Sequence, residues 1–353
     1  AIEGDGATAL HWASYHDEIA TVQHLLTVGA DVNAVTDLGV TPLWTASQNG
    51  SGELVSILLT AGANPNLALL AGETPLMVAA RSGALEVMEL LVAHGAALEA
   101  RGSRGQTALM WAVAQGHSPV VDRLLSQGAD PHGRSDVWVE VMGVPPHAQP
   151  EYNRDIPQGG NTALMFAAAE GNTHNLQYLV NAGANINTQT LEGFSPLFFA
   201  IKSQDVTTAQ MAISLGADIF AAAKDGTTAT QLAVYAKNYA FLTWYMGELP
   251  ALMDEQGIDN VVSAYDRDGY QLLHAAVKAN QPELVAKLLA LGANPNQRSE
   301  PSTLTWRYEA NFKTENYIPP QLTPMEIAEQ NSLTRIVEIL QQNTLSLTVL
   351  NIG

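Results

Sequence analysis

Residues 39–66 read GVTPLWTASQNGSGELVSILLTAGANPN, and this stretch decides how the chain folds. Thr41 ahead of Pro42 marks a helix start: the hydroxyl caps a free N–H, and Pro at the first helical position loses no donor the helix needs. Gly50 permits a turn. A second helix follows, with Val55, Leu58 and Leu59 on one face at helical spacing. Gly62, Ala63 and Asn64 close it, and a short excursion then leads to a second copy of the same pattern beginning at Gly72.

Working outward, the Leu of Gly-x-Thr-x-Leu recurs at Leu10, Leu43, Leu76, Leu109, Leu164 and Leu197, where Ser195 replaces Thr in the last. Weaker copies place Thr230, Leu273 and Met325 in the same slot. Five of the intervals are 33 residues; the other three are 55, 43 and 52. Gly-Ala recurs at Gly29, Gly62, Gly95, Gly128, Gly183, Gly216 and Gly292, always 23 residues after the first Gly of its repeat. Ala13, Ala46, Ala79, Ala112, Ala167, Ala200, Ala233, Ala276 and Ala328 follow the anchors. A small residue there lets neighbouring first helices approach closely. A period in this range signals a stacked repeat architecture.

The motif at 39–43, the Gly-Ala-Asn-Pro-Asn of 62–66 and the Thr-Ala-Leu-His of 8–11 resemble the ankyrin repeat family, over almost the whole chain. The resemblance implies an all-α solenoid of about nine helix-turn-helix units with β-hairpin fingers and two long finger insertions. It implies protein binding through the concave face and fingertips, with no intrinsic reaction. The seventh unit (Thr230 for Leu) and the ninth (Gln321 for Gly) depart from the pattern. Residues 104–117, 135–147 and 159–168 also resemble bacterial extracytoplasmic ankyrin proteins, a group that brings no specific activity with it. His11 and His274 follow the anchor, where the family uses His to brace the repeat.

Composition narrows the function. Of 353 residues, 16 are Lys or Arg and 35 are Asp or Glu, for a net charge of −19, which disfavours phosphate-backbone binding and so excludes nucleic acid as a general partner. No run approaches the length and apolarity of a membrane span. With no cysteine, thiolate catalysis, disulfides and zinc–thiolate sites are excluded. Metalloprotease, Walker, EF-hand and dinucleotide motifs are absent. His16, Asp17 and Glu18 look like a metal cluster, but adjacent helical residues diverge and cannot converge on one ion. The expectation is therefore a non-enzyme with no cofactor and no metal. His94, His117 and His174 fall at turns and helix starts, which predicts solvent exposure.

The chain reads as one solenoid over 1–353, with insertions at 131–158 and 297–320 in the fingers after the fourth and eighth repeats. The first insertion is β-prone over Val137 to Met142 and irregular afterwards, with Pro145, Pro146, Pro150, Pro157 and Tyr152. The second holds Trp306, Arg307, Tyr308, Phe312 and Tyr317. Each insertion is either an arm that contacts a partner or a decoration packed on its own scaffold. In the seventh unit the second helix is lengthened, with Pro250 interrupting or restarting it and Gly257 in the place of the usual repeat-closing Gly.

The resemblance implies partner-facing slots that flank the first Gly and precede the mid-repeat Gly. The candidate protein-binding residues are Tyr15, Arg81, Arg104, Phe194, Lys202, Tyr270 and Lys278 in those slots, with Trp138 and Tyr152 on one arm and Trp306, Arg307 and Tyr308 on the other. Aromatic and Arg side chains dominate interface energetics. The functional expectation is a non-catalytic scaffold, an accessory subunit docking on a partner in a bacterial complex; the alternative is an effector or inhibitor that blocks one target. The absence of Cys and of an initiator Met leads to the expectation of a periplasmic or secreted protein, with cytoplasm as the alternative. The first unit has no capping repeat before it, so upstream sequence or another chain is expected to cover it.

Overall fold

The computed structural model of the protein describes residues 4–142, 154–224, 226–266, 269–301 and 321–350. Packing of the backbone groups the chain into two compact units, one of Ala1–Ser203 with Gln210–Asp218, the other of Gln204–Ala209 with Ile219–Gly353.

In the first unit the helix pairs are α1 (Ala9–Tyr15) with α2 (Ile19–Thr27), α3 (Pro42–Asn49) with α4 (Gly52–Thr60) and α5 (Pro75–Ser82) with α6 (Leu85–Ala93). They continue with α7 (Ala108–Ala114) and α8 (Ser118–Ser126), α9 (Ala163–Ala169) and α10 (Thr173–Asn181), and α11 (Pro196–Lys202), which is followed by α12 (Val206–Ser214). Their starts are chemical. The Thr41 hydroxyl accepts from Trp44 N–H at 3.0 Å, and Thr74 and Thr107 do the same for Met77 and Met110. Gly50 ends α3 in the left-handed conformation at φ 74°. First helices then pack side by side, α1 on α3, α3 on α5, α5 on α7, α7 on α9 and α9 on α11. Ala46, Ala79, Ala112, Ala167 and Ala200, all fully buried, permit that approach. The anchors Leu10, Leu43, Leu76, Leu109, Leu164 and Leu197 are buried between the layers, as are Trp44, Met77, Met110, Met165 and Phe198 in the slot after them.

Neighbouring repeats are also joined by polar contacts. Asn33 Nδ2 donates to Gly62 O while its Oδ1 accepts from Asn64 N–H at 2.8 Å; Asn66 and Asn187 repeat both bonds one repeat further on. Each finger closes on itself, as where Thr36 N–H donates to Val40 O, and touches the next, as where Leu70 N–H donates to Leu38 O at 3.0 Å. His117 departs from its expected exposure. It is half-buried, and its Nε2 bonds Arg81 O at 3.0 Å in the preceding repeat, because carbonyls in the last turn of a helix such as α5 lack an intrahelical partner.

The insertion after the fourth repeat forms an antiparallel ribbon of β1 (Val137–Met142) and β2 (Arg154–Gly159), with Val137 opposite Gly159 and Met142 opposite Arg154. The β-prone half is a strand as expected, but residues 154–159 are a strand too, Pro157 included. A two-stranded ribbon has only edges, and an edge tolerates a residue with no N–H. Tyr152 lies outside the described residues.

The second unit holds α13 (Ala229–Tyr235), α14 (Tyr239–Leu252), α15 (Glu255–Ser263), α16 (Leu272–Lys278), α17 (Pro282–Ala290), α18 (Pro324–Gln330) and α19 (Thr334–Leu350). The lengthened helix of the seventh repeat runs through Pro250, which sits in the last turn of α14. Tyr245 and Met246 are buried there, with the Tyr245 ring stacked on Phe241 at 5.7 Å. Gly257 is not a repeat-closing turn. It lies inside α15, where its N–H is capped by Asp254 at 2.9 Å. The acidic cap made these residues start a new helix, so the seventh repeat carries an added helix, α15, after its lengthened one. Thr230, in the anchor slot, is half-buried rather than buried, bonds Thr228 Oγ1 at 3.0 Å and borders a small cleft that Gln231, Val234 and Leu272 also line.

Candidate functional site

Tyr15, Arg81 and Lys202 lie in the last turn of the first helices α1, α5 and α11. Tyr15, 58% exposed, packs edge-on against Trp12 and His16. Arg81 pairs with Glu73 at 2.8 Å and lies over the Trp111 ring at 5.6 Å. Lys202 is exposed. On the first helices α7, α9 and α11 stand Trp111, Phe166 and Phe199, each half-buried. These three were missed in the sequence, although they all lie two residues after an anchor Leu. Phe194 is half-buried against Phe198, with centroids 5.7 Å apart. It is more a brace than a free contact.

The finger corner under the ribbon brings Arg104 and Trp138 together, the guanidinium 4.7 Å from the ring centre. Two further arginines found no mention in sequence reasoning. Arg101 pairs with Asp136 at 2.7 Å, and Arg134 donates to Gly160 O and Gln189 O, at 2.9 Å each. Arg134 thereby ties the ribbon's base to the following finger.

In the second unit, Lys278 lies over the Tyr270 ring at 4.7 Å, and Tyr270 leans on His274. Gln271 N–H donates to His274 Nδ1, so Nε2 carries the proton and donates to Gln297 O at 3.0 Å and Leu322 O at 3.2 Å. His11 uses the same pattern, with Thr8 N–H on Nδ1 and Nε2 on Val40 O. Both are braces, as the family resemblance implies. Ser299 N–H donates to Leu322 O, and Arg298 pairs with Glu326 at 3.0 Å. The Thr323 backbone N–H, aided by Arg298, holds the Glu326 carboxyl below its ordinary value. Trp306, Arg307 and Tyr308 lie outside the described residues.

Burial pushes His274 below its ordinary value of 6.5, against the opposing pull of the Gln297 and Leu322 carbonyls. As pH falls the unfolded chain therefore takes up this proton first. The stability that His274 contributes is complete above pH 6.5 and is lost as pH drops through 6.5 toward the folded value. An imidazole chemical-shift titration of His274 should show a midpoint below 6.5. A midpoint at or above that value refutes the assignment of a desolvated, neutral ring.

Among the described residues no group of three His, Asp or Glu side chains is placed to hold a metal ion, and no helix is long and apolar enough to cross a membrane. The arrangement offers exposed rings, guanidinium groups and backbone edges, which suit recognition of another macromolecule.

Comparison with known proteins agrees with this geometry. A family model described as ankyrin repeats (3 copies) matches residues 1–69, 44–135 and 146–223, and one described as ankyrin repeat matches 268–300. The chain belongs to the ankyrin repeat family, whose repeats are general protein–protein interaction modules. It is similar to human Rabankyrin-5, 33% identical over 141 residues that make up 39% of this chain and 11% of that protein. It is also similar to the nuclear factor NF-kappa-B p105 subunit of Gallus gallus, 28% identical over 178 residues, 49% of this chain and 17% of that protein. The chain thus spans only a minor part of these relatives' length. Among solved structures, the human ASB11 ankyrin repeat domain matches with a TM-score of 0.53 at 22% identity, covering 64% of this chain and 92% of that one. At that identity the likeness is one of fold.

Proposed function

We propose that the protein is a non-catalytic scaffold that docks, as an accessory subunit, on a partner protein within a bacterial complex. The observation that carries this reading is the row of half-buried rings Trp111, Phe166 and Phe199 on successive first helices, continued by the cations Arg81 and Lys202. A core requires rings to be covered, whereas a docking face requires them partly open, held in place and flanked by charge. The chain's cysteine-free composition supports an extracytoplasmic site of action, which recovery only from the cytosol would overturn.

The test is stoichiometric co-purification of the native chain with its partner, followed by two variants. Trp111→Ala and a variant with residues 137–159 replaced by a short Gly-containing finger are each expected to weaken partner retention by roughly 30-fold, the effect of losing one hot-spot anchor. Circular dichroism should show their helical content unchanged. Undiminished affinity in both variants would refute the assignment of this face.

A further inference from the structure

Three arginines meet at the base of the ribbon, and the structure puts them to different uses. Arg101 donates through Nη2 to Arg134 O at 2.9 Å and to Asp136 Oδ1 at 2.7 Å. Arg134 donates to Gly160 O and Gln189 O through Nη1 and to Thr188 Oγ1 through Nη2. Both direct N–H groups to oxygens within the protein. Arg104 does not: among the described residues no oxygen accepts from its guanidinium, and its only side-chain partner is the face of Trp138.

That face is held in place. Gly159 has φ +86°, and a Cβ on it would lie 2.6 Å from Trp138 Cζ3, so the ring lies where only glycine leaves room. Asp136 N–H donates to Arg104 O at 2.8 Å, which pins the strand carrying Trp138 to the finger carrying Arg104. Packing over a ring gives a guanidinium no oxygen acceptor, so its N–H groups keep their hydrogen-bonding capacity. Arg104 itself is exposed. An exposed guanidinium whose position is already set loses little freedom on binding.

From this we infer that the Arg104 edge is the docking point for a single carboxylate of the partner, an Asp or Glu side chain in an otherwise uncharged segment. The inference rests on the reading of the chain as an interaction module and names the chemistry of one part of its surface. The N–H fork of Arg matches a carboxylate in two parallel bonds. Charge favours a monoanion over a phosphate. Asp136 offsets Arg101, and Arg134 directs three of its N–H groups to carbonyl and hydroxyl oxygens, so of these three arginines Arg104 alone has no oxygen partner among the described residues, in a chain whose net charge is −19. Phosphate groups are held by clusters of open cations.

The experiment follows the arginine Nε–H resonances of the full-length chain while three blocked pentapeptides are titrated in. They are Gly-Leu-Glu-Leu-Gly and its Gln and phosphoserine counterparts. The Glu peptide is expected to shift Arg104 and leave Arg101 and Arg134 unmoved, and the Gln peptide to shift none of them. Arg104→Lys, which keeps the charge but loses the fork, is expected to weaken the Glu peptide about tenfold. Absence of an Arg104 shift, an equal response to the Gln peptide, tighter binding of the phosphoserine peptide, or equal affinity in Arg104→Lys would each overturn the inference. Those results leave the scaffold reading intact if Trp111→Ala still loses the native partner, so the two can fail separately.

Discussion

Leu109→Ala is expected to lower the free energy of unfolding by about 3–5 kcal/mol, the range seen when a fully buried leucine is truncated and the cavity cannot collapse. Leu109 is 2% exposed, and α7 packs on α5 before it and α9 after it. In a stack of repeats, stability is roughly a sum of weak intrinsic terms and strong neighbour terms, so a void in α7 loosens two boundaries at once. Ala112 on the same helix is fully buried as well. The control is Leu38→Ala. Leu38 is 68% exposed on a fingertip, and its removal should change stability by no more than about 0.5 kcal/mol. Urea melts of the two variants check this. A loss below about 1 kcal/mol for Leu109→Ala would mean that the anchors are not what binds repeat to repeat.

Gly39→Val should cost about 2–4 kcal/mol, well beyond what Gly29→Ala costs, although the two glycines share nearly the same backbone angle. Gly39 has φ +82° and Gly29 has φ +86°. Strain in the left-handed region accounts for roughly 1–2 kcal/mol at either site. The difference lies in space. A Cβ on Gly39 would sit 2.9 Å from Ala68 O and 3.1 Å from Leu69 Cα, in the backbone of the next finger, whereas nothing lies within 4 Å at Gly29. Backbone cannot swing aside as a side-chain tip can. The Val substitution should therefore separate the two fingers and break the Leu70 to Leu38 hydrogen bond. Hydrogen exchange at the Leu70 amide reads that break directly. Equal losses in the two variants, with Leu70 still protected, would refute a fingertip ladder held by close backbone approach.

Much of the architecture was legible before any coordinates. Thr41, Pro42 and Gly50 act within one or two helical turns, so their effect is written in adjacent residues. The period of 33 carried that local rule along the chain and predicted the buried anchors. His11 and His274 were expected as braces on the family resemblance, which implies that role for a His after the anchor. The finger insertion after the fourth repeat was located from its length alone, yet its second strand was not. Pro157 argues against a strand anywhere but on an edge, and nothing in the sequence says that both strands of the ribbon are edges. Gly257 was misassigned because a Gly at the expected spacing looks like a closing turn, while its capping by Asp254 makes it the first turn of a helix.

What the sequence by itself determined is the repeated unit: where each helix begins, where it turns and which residues it buries. Those choices come from capping, helical propensity and apolar spacing, which act over a few residues. Only the tertiary structure decided what the candidate surface is made of. Arg134 reaches a carbonyl 55 positions away, at Gln189, and Arg104 meets Trp138 only once two fingers are paired through Asp136. Three arginines that look alike in the sequence become a clasp, an ion pair and an open fork. The reason is that a guanidinium's role is set by which oxygens and rings the fold brings within hydrogen-bond distance, and no local propensity encodes that.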